Sequence, residues 1–196
     1  MNLTRRGVLA ASTVGFAGCG LVPEESDPVE ASASTPATLP DDAGYSKITS
    51  EETTIETTVR VDLTGDVELN ASRDVVATVF RRVYEADGGS RFGLVTAPAV
   101  QIFDSPEIVR DPVTSLDDSR VVELATGLRV ESVGSTAEQG SVTLLGTDTT
   151  LTTATVTAGD GEVSTVWTRV RAGDDSVTAV ATGEGEAPFD AVTRDG

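Results

Sequence analysis

Carboxylates are the plentiful acid/base groups of this 196-residue chain, which carries 32 Asp plus Glu and no histidine. Adjacent pairs occur at Asp41-Asp42, Asp117-Asp118 and Asp174-Asp175. Two carboxylates on one surface can support acid/base hydrolysis or hold calcium, but none of these pairs has the spacing of an EF-hand loop. In so acidic a chain, neighbouring Asp residues read first as solvated loop or helix-start residues. Without histidine there is no Ser-His-Asp or Cys-His triad, no HExxH zinc site and no blue-copper site built from His and Cys. GxGxxG, GxxxxGK and GxSxG are also missing, so neither a nucleotide loop nor a nucleophile elbow is indicated. The expectation is no catalytic residue, no metal site and no cofactor.

Cys19 is the single cysteine, which excludes disulfides, CxxC redox chemistry and cysteine-ligated zinc or iron. Its surroundings give the thiol a different use. Thr4-Arg5-Arg6-Gly7-Val8-Leu9, a short apolar stretch and then Phe16-Ala17-Gly18-Cys19 resemble a twin-arginine export signal ending in a lipobox. On that reading Arg5 and Arg6 address the chain to the export route for folded proteins, and Cys19 carries a lipid. Val8 to Phe16 is far shorter than the roughly 20 apolar residues of a bilayer crossing, and Ser12, Thr13 and Gly15 dilute it. Phe16 replaces the aliphatic residue usual at the first lipobox position. Residues 1–18 are thus expected to be a signal, and the protein to sit lipid-anchored on the extracytoplasmic face of the cell membrane.

The formal net charge is -18, and loss of Arg5 and Arg6 with the signal leaves 12 basic residues against 32 acidic ones, a net of -20. Lys47 is the only lysine. Acid-rich, lysine-poor, aromatic-poor surfaces suit molar salt, where the Debye length falls to about 3 Å and like charges stop repelling at range. The same negative field disfavours nucleic acid and anionic lipid as partners.

Residues 19–43 are Pro, Ser, Thr, Ala and acid without apolar periodicity, and read as an acidic tether. One domain is expected over 44–196. Its dominant signal is period two: Ile55, Thr57, Val59, Val61 and Leu63 alternate with Glu56, Thr58, Arg60 and Asp62. Asp74 to Tyr84 is apolar on both faces and reads as a central strand. Phe92 to Ala97 is a strand that Pro98 places at or near an edge. A helix follows, with Ser115 as cap, Asp117 and Asp118 at its positive end, Val121, Leu124 and Ala125 on one face and Gly127 as its stop. Strands resume over Leu128 to Val133, Ser141 to Leu145, Thr149 to Thr157, Val163 to Arg171 and Ser176 to Thr182, joined by glycine-marked hairpins. Pro188 to Thr193 starts a short terminal helix. The pattern predicts an α+β domain, a mostly antiparallel sheet of about seven or eight strands with one main helix packed on it. The alternative is an all-β sandwich.

Two further residues bear on function. Trp167 falls in a strand and reads as a core anchor rather than a sugar-stacking platform. Asn70-Ala71-Ser72 is an acceptor pattern for N-glycosylation at Asn70, whereas Asn2-Leu3-Thr4 would leave with the signal.

Gly44-Tyr45, Arg73-Asp74-Val75 leading to Tyr84, Thr96-Ala97-Pro98-Ala99-Val100, Val142-Thr143-Leu144-Leu145-Gly146 and Gly173-Asp174-Asp175 carry a resemblance. On these segments the chain is similar to lipobox-bearing haloarchaeal proteins of unknown function, over most of its mature length. The resemblance implies an exported lipoprotein and brings no catalytic motif. More distantly, the element order resembles the PsbP and Mog1 fold, which implies accessory or binding roles. The functional expectation is a non-enzymatic surface lipoprotein that binds a protein or cell-envelope partner. Its rivals are a carboxylate-dependent hydrolase of envelope polymers and a small-ligand carrier with an apolar cavity.

Overall fold

The computed structural model describes residues 27–63, 69–101, 109–159 and 161–194. Arg5, Arg6 and Cys19 lie outside them. In chain order the strands are β1 (Val29–Ser32), β2 (Ala37–Thr38), β3 (Tyr45–Leu63), β4 (Leu69–Ala86), β5 (Arg91–Pro98), β6 (Val100–Gln101) and β7 (Val109–Arg110). After the helix α1 (Asp118–Thr126) come β8 (Val130–Val133), β9 (Ala137–Leu144), β10 (Thr147–Ala158), β11 (Gly161–Ala172), β12 (Asp175–Thr182) and β13 (Thr193–Arg194). The domain is largely β with one α-helix among the described residues.

Nine strands form one sheet, with β4, β5, β12, β11 and β10 side by side. Strand β3 pairs with β4 along its whole length, from Tyr45 opposite Ala86 to Leu63 opposite Leu69. At the other end β9 and β8 share the outer side of β10. These pairings are antiparallel, as the hairpin-rich sequence predicts. The exception is β1, which runs parallel to β4 and makes the sheet mixed. The strands gather in this sheet and two short ribbons, β2 with β13 and β6 with β7, rather than in two stacked sheets as a sandwich requires.

Pro98 explains where β1 fits. Strand β5 lies in the interior of the sheet between β4 and β12, so the edge position expected from Pro98 is corrected. Proline has no amide hydrogen to continue the ladder, and the last β4–β5 rung pairs Phe80 with Thr96. Past that point β1 takes over the vacated side of β4, pairing Val29 with Val75 through Ser32 with Thr78. Ala33 N–H then donates to the Thr78 carbonyl at 3.0 Å.

The tether expected over 19–43 is corrected in its second half. Residues 29–39 are part of the folded domain, through β1 and through β2, which pairs with β13. Ala37 and Leu39 are buried. Ala37 N–H donates to Thr96 Oγ1 (2.9 Å) and Leu39 N–H to the Tyr84 hydroxyl (3.0 Å), so the amides of both buried strap residues are satisfied. Asp41 and Asp42 form the exposed turn that follows.

Strand alternation sends side chains to two faces, and each face has its own core. Ile55, Val79, Val95, Val180 and Trp167 meet Val121, Val122 and Ala125 of α1 on one. Tyr84, Phe92, Leu94, Ala179 and Val170 meet Leu39, Leu144 and Phe189 on the other. Phe92 is the hinge of that second core, with its ring 5.4 Å from Phe189 edge-on and 6.0 Å from Tyr45. The terminal helix expected at Pro188 is a single 3-10 turn, Phe189–Ala191, and the chain then returns to strand as β13.

Helix α1 seats on the sheet over Gly93, where a Cβ would collide with the Ala125 carbonyl oxygen. Glycine therefore sets how closely helix and sheet approach. The carbonyl end of α1 is capped from the sheet: Arg81 Nε donates to Leu124 O (2.5 Å) and Arg91 Nη1 to Thr126 O (3.1 Å), cations at the negative end of the helix dipole. Gly127 follows in the left-handed conformation at φ 69°. At the other end Asp117, not Ser115, is the N-cap, accepting from Arg120 N–H at 2.9 Å. Ser115 instead closes a separate 3-10 turn, Pro112–Ser115, because Asp111 caps that turn and Pro112 starts it.

Candidate functional site

The sequence Asp111-Pro112 to Asp117-Asp118 folds as two capped turns in succession. Asp111 Oδ1 accepts from Val113 N–H at 2.8 Å, and Leu116 N–H returns to the Val113 carbonyl at 3.3 Å. The second carboxylate oxygen of Asp111 is buried and stands 3.2 Å from Arg169 Nε. That contact is one of charge rather than a hydrogen bond, since the single Nε hydrogen goes to Thr178 Oγ1 at 2.8 Å. Burial pulls the Arg169 guanidinium below its ordinary range, and Asp111, then Asp118, pull it back up. An arginine starts so high that it stays charged.

Register places Arg169 in company. Thr152 pairs with Trp167 across β10 and β11, and Thr150 and Arg169, each two residues further from the hairpin turn, line the same cleft. The four side chains share one face of the sheet by strand alternation. They floor a polar cleft of about 260 Å³ walled by Leu116, Asp118 and Val121. Trp167 is 9 % exposed, yet no described group pairs with its indole N–H. The Thr150 and Thr152 hydroxyls are similarly unspent. Neighbouring Thr168 and Thr149, by contrast, bond to the Thr150 and Arg169 carbonyls (2.8 and 2.9 Å). Asp118 is the carboxylate among the described lining residues. The arrangement can donate and accept hydrogen bonds at one place.

The other acidic pairs have different fates. Asp117 and Asp118 are exposed at the helix start, as expected. Asp175 corrects the solvated reading: it is 1 % exposed, ion-paired with Arg194, and accepts from Ser34 N–H (3.0 Å) and Ser34 Oγ (2.6 Å). It ties Ser34 and Arg194 to the start of β12 and is not among the residues that line the cleft. Asn70 lies in β4 opposite Asp62, with its side chain outside what is described. Trp167 belongs to the helix-side core as expected, although it also lines the cleft. Arg169 was missed by sequence reasoning; the Thr-x-Thr and Trp-x-Arg alternation was its signal, readable only with the register in hand. Among the described residues no cluster of Asp, Glu, His or Cys could hold a metal ion, and no helix is long and apolar enough to cross a membrane.

Fold and cleft together define a largely β domain with, among the described residues, one α-helix and a small polar cleft beneath the start of that helix. The chain belongs to the family described as Domain of unknown function (DUF6517), whose model matches residues 32–188. That match starts within β1, in accord with a folded unit that includes the strap. No curated protein and no solved structure matches the chain.

Proposed function

We propose that this protein is a non-enzymatic lipoprotein domain, anchored through Cys19 on the extracytoplasmic face of the cell membrane, that binds a protein or cell-envelope partner. The observation that carries the binding role is the cleft floor, where Thr150, Thr152 and Trp167 hold donors that no described protein group uses. Polar groups that line a cleft and bond to no protein partner are free to exchange water for a ligand of matching hydrogen-bonding character. The acid-rich composition supports a haloarchaeal origin, in line with the resemblance to lipobox proteins of that group. The hydrolase reading has less support: Asp111 is committed to Arg169, which leaves Asp118 without a second carboxylate among the described lining residues.

The test is affinity purification of the tagged native lipoprotein from its own membranes in high salt, beside the Cys19→Ser and Arg5→Lys/Arg6→Lys variants. A partner reproducibly recovered with the wild type, release of Cys19→Ser from membranes and retention of the double-lysine variant in the cytoplasm are the expected results. Unchanged membrane association of Cys19→Ser would defeat the anchor. A lone lipid chain anchors marginally, so the modification is expected to carry two.

A further inference from the structure

We propose that the cleft between α1 and the β10–β11 face binds a single neutral sugar ring through its hydroxyl groups. The inference rests on the binding-domain reading above and names the chemistry of the ligand.

Three observations converge. First, the floor alternates in what it offers: the Trp167 N–H donates only, Thr150 and Thr152 hydroxyls donate or accept, and the Arg169 terminal amino groups donate. Asp118 on the wall accepts only. A hydroxyl group both donates and accepts, so a polyol is the ligand that satisfies the whole set. Second, charge excludes the obvious competitors. Arg169 is already faced by Asp111 at 3.2 Å, with Asp118 also acting on it, so the site has no surplus positive charge for a phosphate or carboxylate. Thirdly, the cleft of about 260 Å³ lies just below the range of roughly 300–1,000 Å³ typical of drug-sized ligands, which fits one sugar ring and not a chain of them. Leu116 adds a small apolar edge to this mostly polar lining, beside which the C–H groups of a ring can sit.

The site's own geometry is rigid. Arg169 is fixed by Thr178 at 2.8 Å, and Thr152 and Trp167 are held by the β10–β11 ladder. Binding would therefore cost little ordering.

The chain has one tryptophan, so its emission reports on this cleft alone. The experiment titrates the intact protein in high salt with the methyl glycosides of glucose, galactose and mannose, with glucuronate and arginine as charged controls. A saturable change in Trp167 emission with at least one neutral glycoside is expected, at millimolar midpoint. Thr150→Val with Thr152→Val should weaken it about tenfold or more with an unchanged melting temperature. Calorimetry on Trp167→Phe, which keeps a ring and removes the N–H, should show a comparable loss. No saturable response to any neutral glycoside would overturn the inference, as would a response to the charged controls alone or one unaltered by the double valine change. If the double valine variant unfolds, the calorimetric comparison with Trp167→Phe decides in its place. A membrane partner still recovered by a protein blind to sugars would overturn the sugar site while leaving the wider binding role standing.

Discussion

Arg194, in the last strand of the domain, closes an ion pair on Asp175 at the start of β12, and the same arginine donates to the Thr35 carbonyl at 2.9 Å. One guanidinium thus joins the N-terminal strap, the centre of the sheet and the C-terminal ribbon. Removing one partner of a buried pair leaves the other charge stranded, at a cost of about 3–5 kcal/mol. Asp175→Ala and Arg194→Ala are each expected to destabilise by that order, and the double variant by clearly less than the sum. Thermal melts in one salt concentration check this; additive losses would mean that the two side chains act independently.

Gly93→Ala is expected to cost about 1–3 kcal/mol, since the new methyl meets the Ala125 carbonyl and α1 must lift. Gly146→Ala offers a contrast, because there the strain is one of left-handed backbone at φ 74° with open space around it. Tryptophan emission separates the two. Lifting α1 disturbs the wall above Trp167, whereas a strained hairpin tip at Gly146 leaves emission unchanged.

Asp117 links stability to pH. Hydrogen bonds from the Ser119 hydroxyl, then from the Arg120 amide, hold its carboxyl below the usual value. A depressed folded-state value means that its contribution is fully present above the unfolded value of about 3.9 and is lost as pH falls through the lower folded value. Asp117→Ala should cost about 1 kcal/mol near neutrality. Asp117→Asn should keep most of the cap yet flatten the acid limb of the melting curve, and an unchanged acid limb would count against this account.

A fragment that starts at Gly44 should be markedly less stable than one that starts at Asp27. It lacks the four β1 rungs on β4 and the amides that satisfy Thr96 and Tyr84. Far-UV circular dichroism on both, across a salt series, tests two ideas together. Both should lose strand signal as the Debye length grows from about 3 Å at 1 M to about 30 Å at 0.01 M, with the shorter fragment failing first. Equal midpoints would remove the strap from the folding unit. Full signal from the longer fragment at 0.01 M would show that the acidic surface is not a salt adaptation.

What the sequence made legible follows from how local each signal is. Ile55 and Val59 are buried at two-residue period, and Gly127 stops the helix, because alternation and a left-handed stop are written in neighbouring residues. The strap was not legible. Val29, Ala31, Ala37 and Leu39 are scattered among Pro and Ser, and what buries them is a parallel pairing with β4 and the Tyr84 hydroxyl, far along the chain. The cap moved from Ser115 to Asp117 because Asp111 and Pro112 had already claimed Ser115 for a turn of their own. The cleft was the least legible, since Thr150 and Arg169 come to line one cleft only through the pairing of β10 with β11.

The parallel lie of β1 has a mechanical meaning. Its four rungs, Val29 on Val75 to Ser32 on Thr78, are the first part of the described fold that a pull from the N-terminal side encounters. A force along the strand loads them together, in shear, so they yield as a group; a force across it opens them singly. Asp27 stands eight residues after Cys19, a separation that cannot exceed about 28 Å along the chain. If the proposed lipid on Cys19 holds the domain, drag on it would fall on that short clasp before the other described parts of the sheet felt it.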